Sequence, residues 1–375
     1  MQRIVFIFLI LIQISCGTGK NKADEGGVKS AEDKAENSTD DTTSKNQPKE
    51  DRIKLVRNNE EKRVDVYIDN ALFTAYVYPE SIQKPVLFPL NTASGKTLTR
   101  GYPLDPQPWE RVDHPHHVGM WLTHGDVNGL DFWGHSDSIP RNRKPHYGTI
   151  YHKSIRDVKG GDEFGYLEVT GEWKRPDGRV ILDENTKYYF MGEENVRIVD
   201  RITTLTAKDL NILFKDTKEG MMGIRVIRAL ELPDNGKIRV FDEDLKPIEI
   251  DANDDRSNGD YLNSEGIEGG GVWGQRATWV RLGGSVNNET AGIIIMDHPD
   301  NPNHPTHWHA RGYGLFAANP LGSNTFTNGK ETFNFFLNVD KSITFKYRIF
   351  IYNTTEPDSS AINLEFEKFS NLYKN

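Results

Sequence analysis

After residue 53 the chain alternates apolar and polar residues over short runs, which is the pattern of half-buried β-strands. Residues 64–68 alternate, Asn70 follows at a turn, and apolar residues return over 72–78, so this region predicts a hairpin. Further strands are predicted at 164–173, 187–190, 196–205, 223–230, 278–282, 291–296, 313–317, 333–339 and 343–352.

Helical periodicity is scarce and is clearest in the C-terminal tail. Ile362, Phe366 and Phe369 recur there at helical spacing, and Ser359 or Ser360 can cap the helix. Many strands without alternating helices predict an all-β fold, a large antiparallel β-sandwich of the supersandwich kind with a short C-terminal helix. No linker interrupts residues 53–375, which we therefore interpret as a single domain.

The N-terminal residues 1–16 have the pattern of a targeting segment. Arg3 precedes an apolar run over 4–12, which ends at Ile14-Ser15-Cys16-Gly17 and is too short to span a bilayer. A lone cysteine at this position predicts a bacterial lipoprotein signal peptide with acylation at Cys16. The alternative is an ordinary cleaved signal peptide with an incidental cysteine.

Residues 17–52 predict a disordered tether. The stretch 17–50 has no aromatic residue and is rich in Lys, Asp, Glu, Ser and Thr, so it cannot bury enough apolar surface to fold. Because Gly17 replaces the aspartate that retains lipoproteins in the inner membrane, we expect anchoring in the outer membrane of a Gram-negative cell, on either its periplasmic or its surface face.

Composition excludes several classes of protein. Among 375 residues, 36% are hydrophobic and 27% are charged, which is incompatible with a polytopic membrane protein. The net charge of -9 gives no electrostatic basis for nucleic-acid binding. The single cysteine excludes intrachain disulfides and cysteine-based metal sites.

The histidines are the strongest chemical signal. All 11 fall between residues 114 and 309, and most lie in two segments, 113–135 and 297–311, that are also rich in Gly, Pro, Trp and Asp. This is the composition of loops lining a cleft. Imidazoles titrate near working pH, so one interpretation is general acid–base chemistry on a polar ligand.

Under that interpretation the residues divide into two groups. The predicted acid–base groups are His124, His298 and His309, with Glu219 and Asp126 as carboxylate partners. The predicted substrate-binding groups are His117, Trp121, Trp133, Arg225, Trp308 and Arg311, the tryptophans as stacking faces for sugar rings.

Two other interpretations stay open. A divalent or transition metal could be held by His307 and His309 with His117 and His124, although the sequence has no HExxH motif and implies no cofactor firmly. In the third interpretation each histidine has a structural role in a turn or a proline-rich loop.

Three blocks carry a family resemblance: 114–133 with HPHH and HGDVNG, 216–225 with DTKEG, and 297–322 with NPLG. Over residues 55–352 the chain resembles a family of secreted proteins labelled "PmoA family" or domain of unknown function. The label names a methane oxygenase subunit, an integral membrane protein. No segment after Cys16 is long enough to span a bilayer.

Residues 171–178 and 196–205 are more loosely similar to the galactose-mutarotase-like supersandwich, whose members handle sugars with a histidine and a carboxylate. That resemblance implies a fold rather than a mechanism. Together the patterns predict a cell-envelope lipoprotein that acts on a carbohydrate, such as a glycoside hydrolase, lyase or epimerase. The alternatives are a non-catalytic glycan-binding lipoprotein and a metal-dependent oxygenase or hydrolase. The expected partners are a carbohydrate and, through the lipid anchor only, the membrane, with no nucleic acid.

Overall fold

Two eight-stranded antiparallel sheets carry the fold of residues 50–374, the part of the chain that the computed structural model describes. The predicted signal peptide, the acylation at Cys16 and the predicted tether as far as residue 49 lie outside the described residues. The first strand begins at Ile53, where the β-pattern of the sequence begins.

In spatial order, the first sheet contains β1 (Ile53–Asn58), β2 (Arg63–Ile68), β3 (Ala71–Val77), β4 (Val86–Leu90), β5 (Met120–Leu122), β11 (Met222–Arg225), β18 (Leu315–Asn319) and β17 (His307–Ala310). The second contains β14 (Asp260–Asn263), β15 (Trp279–Val286), β16 (Glu289–Asp297), β20 (Ser342–Asn353), β9 (Val196–Ala207), β8 (Val180–Glu193), β7 (Gly165–Lys174) and β6 (Thr149–Lys159).

Smaller elements complete the described chain. Two-stranded ribbons pair β10 (Ile212–Phe214) with β19 (Phe335–Leu337) and β12 (Lys237–Phe241) with β13 (Pro247–Asp251). The helices are α1 (Ser323–Phe326) and α2 (Ser359–Asn371), and 3₁₀ turns lie at Lys144–His146, Arg228–Leu230 and Gly269–Val272.

One apolar core joins the inner faces of the two sheets. Val64, Val66 and Ile68 of β2 are fully buried in it, and so are residues of β7, β8, β16 and β20 from the other sheet. The rings of Phe73 and Phe190 meet edge to face across the sheets, with centroids 6.3 Å apart. The predicted large antiparallel β-sandwich with a short C-terminal helix is confirmed.

The outer face of the second sheet is covered by α2. Ile362 and Phe369 of the helix pack in one buried cluster with Trp279 and Ile294 of the sheet. The N-cap is Asp358, whose side chain accepts a hydrogen bond from the Ala361 N–H at 2.8 Å. The prediction of Ser359 or Ser360 as the cap is therefore wrong by one residue, because the aspartate carboxylate bonds the free N–H groups of the first turn.

The outer face of the first sheet is covered by loops instead. Alternation along β5 and β18 buries Met120, Leu122 and Phe316 in the common core and turns Trp121 and Ala317 outward into a second cluster under these loops. This outer face carries the histidine-rich loop 114–117, which ends the long connection between β4 and β5.

Several strand predictions are confirmed, including the hairpin β2–β3 and the long strands β7, β9, β16 and β20. The strand predicted at 223–230 ends at Arg225, because the chain turns into the 3₁₀ turn that begins at Arg228. The three-residue strand β5 and the four-residue β17 lie in segments too short and too rich in His, Gly and Pro to show a period. No helix of residues 50–374 has the length and apolar character needed to cross a membrane.

Candidate functional site

A polar cavity of about 470 Å³ opens above the outer face of the first sheet, over β5, β11 and β18. Its walls come from three segments that are distant in sequence: 114–117, 131–139 and 218–219. Arg143, Tyr147 and Tyr313 complete the lining. The first histidine-rich segment therefore lines this cavity, whereas no residue of the second, 297–311, is part of the lining.

A column of nearly parallel rings runs from the sheet to this cavity. The ring of His117 lies 5.3 Å from that of Trp121 on β5 and 4.8 Å from that of His114. The next ring, that of Tyr313, lies 5.0 Å from His114 and parallel to it. The Arg225 guanidinium carbon sits 4.9 Å from the centroid of the Tyr313 ring. Both faces of the His114 ring are therefore covered, which fixes its orientation.

The edge of His114 that carries Nε2 is the part that faces solvent. Its Nδ1 atom is buried and lies 3.3 Å from the Asp113 carboxylate, while 39% of the side chain is exposed. The backbone of His114 has a φ of 40°, a strained value for a residue with a side chain. The Arg100 guanidinium and the His117 N–H, which both donate to the His114 carbonyl oxygen at 2.9 Å, hold this conformation. Strain held in this way is common at functional sites.

Two buried arginines support the column from below. Oδ1 of Asp113 accepts hydrogen bonds at 2.7 Å from Arg100 and from Arg225, both of which are buried. Burial acts to raise the pKa of Asp113, but the hydrogen bond with His114 and the charges of Arg225 and Arg100 hold that pKa well below its usual value. Asp113 is therefore a fixed negative charge beneath the cavity.

Arg225 also sets the tautomer of His117. A guanidinium can only donate, and one of its N–H groups lies 3.4 Å from His117 Nδ1, so this nitrogen carries the lone pair. Burial and neighbouring positive charges lower the pKa of His117 far below its usual value, so the ring is neutral and Nε2 carries the proton. Burial likewise lowers the pKa of His116 to about 2.

Two carboxylates line the same cavity. Oδ1 of Asp131 accepts hydrogen bonds from the backbone N–H groups of Trp133 at 2.8 Å and Gly134 at 2.7 Å. Burial and the nearby charge of Glu219 raise the pKa of Asp131, and these two hydrogen bonds offset only part of the rise. The Glu219 side chain is 30% exposed and accepts a hydrogen bond from Lys218. Glu219 thus presents a part-exposed carboxylate to the cavity.

Lys84 joins the two loops that form the cavity. Its buried ammonium donates to the carbonyl oxygens of His116 at 2.7 Å and Trp133 at 3.3 Å. Burial lowers the pKa of Lys84 to about 7.

Of the predicted acid–base histidines, the structure places His309 beside the cavity. It lies on the outer face of β17, and its Nδ1 donates to the carbonyl oxygen of Lys218 at 2.9 Å. Its side chain is almost wholly buried, and burial with the nearby charges of Lys218 and Arg311 lowers its pKa to about 3. His309 therefore supports the loop that presents Glu219 rather than facing a ligand.

His124 and His298 lie outside the cavity lining. His124 is fully buried behind the 217–220 segment, and its Nε2 donates to the carbonyl oxygen of Lys215 at 2.7 Å. Burial lowers the pKa of His124 to about 4. Both ring nitrogens of His298 are bonded to backbone, Nε2 to the Leu372 carbonyl oxygen at 2.9 Å, so it anchors the end of α2. We leave both residues out of the site for these reasons.

The predicted carboxylates divide in the same way. Glu219 lines the cavity, whereas Asp126 accepts a hydrogen bond from the Gly129 N–H at 2.8 Å and closes a turn away from the cavity lining.

The predicted substrate-binding residues are mostly supports. Trp133 contributes to the lining, but Trp121 is fully buried beneath it. Trp308 is in the core and donates to the Ala277 carbonyl oxygen at 3.0 Å, because alternation on β17 turns it away from its two histidine neighbours. Arg225 is buried under the ring column. Arg311 is exposed near the cavity, with its guanidinium 5.7 Å from the Tyr313 ring.

Sequence reasoning missed Asp113, His114, Asp131 and Tyr313 as site residues. The adjacent Asp113-His114 pair was a usable signal, because a carboxylate that orients an imidazole is a recurrent catalytic arrangement. Nothing in the sequence indicated that Asp131 and Tyr313 would reach the same cavity.

The predicted metal ligands do not come together as a group of three or more in the part of the chain that the structure describes. Within the described part of the chain no group of three or more His, Cys, Asp and Glu residues could hold an ion. His307 and His309 each donate Nδ1 to a backbone carbonyl oxygen, of Gly274 at 2.8 Å and of Lys218 at 2.9 Å.

The fold and cavity define a large antiparallel β-sandwich protein with a loop-built polar site on one outer face. The chain belongs to the family of unknown function DUF6807, whose model matches residues 63–367. The expected membership of a family of unknown function is thus confirmed, whereas the matched family is not described as PmoA. No curated protein matches the chain.

Solved structures with a similar fold include proteins described as carbohydrate enzymes. A galactose 1-epimerase from Lactobacillus acidophilus is 9% identical with a TM-score of 0.36, covering 82% of this chain and 100% of that one. A galactose mutarotase-like protein from Clostridium acetobutylicum is 9% identical with a TM-score of 0.37, covering 80% and 98%. The galactosidase domain of an alpha-galactosidase-sucrose kinase is 10% identical with a TM-score of 0.38, and the match spans 80% of this chain and only 41% of that one. Likeness this remote carries no argument about function.

Proposed function

We propose that this protein is a carbohydrate-directed enzyme whose acid–base pair is His114 and Glu219. The observation that carries the proposal is that an oriented, part-exposed imidazole and a part-exposed carboxylate line the same cavity. An imidazole and a carboxylate within reach of one ligand are common groups of general acid–base catalysis.

The cavity lining favours a ligand with many hydroxyl groups. Ser136, Ser138 and Tyr147 offer hydroxyls, Arg143 offers donors, and Asp131 offers acceptors. A volume of about 470 Å³ lies within the usual range for small-molecule sites. Trp133, Tyr147 and Tyr313 add aromatic surface beside these polar groups.

The roles follow from the geometry. The Asp113 carboxylate, 3.3 Å from Nδ1 of His114, favours the tautomer with the proton on Nδ1, so Nε2 accepts a proton from a substrate hydroxyl. When charged, the same Nε2–H donates a proton to a sugar oxygen. Glu219 acts at a second position of the substrate, and Lys218 fixes its carboxylate. Each such group contributes about 10²–10⁴ in rate.

The test is turnover across a panel of mono- and oligosaccharides, followed by NMR for changes in anomer, linkage or stereochemistry. His114→Gln and Glu219→Gln should each lower turnover at least about 100-fold. His146→Gln, an exposed histidine that does not line the cavity, is the matched control. Full turnover in both site variants would remove this pair from the chemistry.

A second candidate, non-catalytic capture of a glycan, is favoured by the neutral imidazoles. The lowered pKa values of His116 and His117 leave them as fixed hydrogen-bonding groups that do not titrate near neutral pH. Saccharide binding without any turnover on the same panel would support this function instead.

We infer in addition that the protein is a lipoprotein of the outer membrane, anchored through Cys16. The support is the sequence pattern of residues 1–17 and the polar composition of the stretch that follows. Metabolic labelling with a palmitate analogue should mark the wild-type chain and not Cys16→Ala. Equal labelling of the two chains would refute the anchor.

A further inference from the structure

A second cavity of about 240 Å³ adjoins the first. The two share Pro115, His116, Ser136 and Ser138 as lining residues, so His116 stands between them as a common wall. A ligand that fills the first cavity therefore lies next to the second, across the side chain of His116.

The second cavity offers polar groups suited to hydroxyls. The Gln83 side chain donates to Asp137 Oδ1 at 2.8 Å, and its Oε1 accepts from the Thr149 hydroxyl at 3.1 Å. These bonds fix the side chains of Gln83 and Asp137 at the lining. Asp137 is exposed. Its carboxylate keeps acceptor capacity beyond this one bond.

His135 is a further built element of the second cavity. The ring is nine-tenths buried, and Nδ1 donates to the Gly148 carbonyl oxygen at 3.0 Å. Burial lowers the pKa of His135, so the neutral ring carries its lone pair on Nε2. That atom has no hydrogen-bond partner within residues 50–374. A buried acceptor without a partner is destabilising, and a ligand hydroxyl in the second cavity would provide the missing donor.

A third, larger space adjoins the second cavity. Leu104 lines both this cavity and a larger cleft of about 1250 Å³. The three spaces therefore follow one another around the 101–118 segment. A single ring would occupy only the first of them.

We infer that the ligand is an oligosaccharide of at least two sugar rings, with one ring in the first cavity and the next in the second, beside Gln83, His135 and Asp137. The inference rests on the proposed function, because it assigns the reacting ring to the cavity of His114 and Glu219. It adds the substrate class, a chain rather than a free monosaccharide.

The experiment is calorimetric binding of mono-, di- and trisaccharides from cellulose, xylan, mannan, starch and galactan to the full chain. The disaccharide of the recognised series should bind at least about ten-fold more tightly than its monosaccharide. Gln83→Ala and Asp137→Ala should each lower that ratio by several-fold. Asp157→Ala, a carboxylate of β6 that lines neither cavity, should leave the ratio unchanged.

The outcomes separate the two proposals. Equal affinity for the monosaccharide and the longer chains, or a ratio that Gln83→Ala and Asp137→Ala do not change, refutes the second subsite and leaves the acid–base proposal standing. Absence of binding and turnover with every saccharide refutes both. Circular dichroism of each variant checks that the chain is folded before its ratio is interpreted.

Discussion

Asp113 gives the sharpest test of the reasoning about the cavity floor. Its Oδ1 accepts from Arg100 and Arg225 at 2.7 Å, and these guanidinium groups have almost no access to water. The substitution Asp113→Asn keeps the shape and one acceptor oxygen but removes the charge. It leaves two buried positive groups side by side, with the Glu231 carboxylate 3.9 Å from Arg225 as the nearest remaining partner.

The expected loss of stability is about 3 kcal/mol at pH 7. Removing one partner from a buried ion pair costs about 3–5 kcal/mol. We take the lower end, since the Asp113 side chain is 30% exposed and the asparagine oxygen still accepts. The two arginines repel each other even in wild type: burial and the charge of Arg225 together lower the pKa of Arg100 to about 9.

The loss should also depend on pH. The pKa of Asp113 in the folded chain lies well below its ordinary 3.8, so the stabilisation is fully present above about pH 4 and is lost as the pH falls further. The asparagine variant has no such group to protonate. The difference between the two chains should therefore narrow below pH 4.

Urea unfolding followed by tryptophan fluorescence measures both effects, at pH 7 and in steps down to pH 3. Asp157→Asn is the control, since its surface pair with Lys159 is worth less than about 1 kcal/mol. A variant of Asp113 within 1 kcal/mol of wild type at pH 7 would show that the arginines do not depend on this charge. A difference that is constant down to pH 3 would refute the lowered pKa.

Three further predictions concern stability. Gly223→Ala should lower the free energy of unfolding in urea by about 1–3 kcal/mol, because a Cβ there would lie 2.7 Å from the buried ring of Trp121. The control is Gly270→Ala, since the space around Gly270 is open. Equal unfolding curves for the two variants would contradict the packing argument. Asp358→Ala should cost about 1 kcal/mol and speed amide exchange in the first turn of α2, because it removes the N-cap; unchanged exchange there would refute the cap. The free energy of unfolding of wild type, relative to that of Lys84→Met, should increase as the pH rises above about 7, by at most about 1.4 kcal/mol per pH unit. The reason is that Lys84 is protonated in the unfolded chain at pH values where it has lost its proton in the folded chain. Lys159→Met, at an exposed site, should show no such trend, and a flat difference for Lys84→Met would rule out a lowered pKa.

The fold could be predicted because its strands are long and one-sided. β7 alternates buried and half-exposed residues over ten positions, and a pattern this long predicts a strand whatever the conformation of the flanking turns. α2 was equally visible, since Ile362 and Phe369 repeat at helical spacing on the face that packs against the sheet. Strands of three or four residues carry too little pattern to be read.

The site was only half predictable. Clustering of histidines located the loop around 114–117, but it could not distinguish imidazoles that face the cavity from those that hold it together. His298 resembled a catalytic residue by composition and proved to anchor α2. Trp308 could have been assigned correctly, since a tryptophan between two histidines on one strand must point away from both. Asp131 and Tyr313 depended on loop paths that local sequence does not determine.

Because β5, β11 and β18 send alternate residues to the common core and to the cavity, the interior and the cavity floor cannot change independently. A substitution at Met222 or Ile224 that repacks the sandwich also displaces Arg225 on the opposite side of the same short strand. We therefore expect homologous proteins to keep this floor and to vary in ligand preference through the surrounding loops.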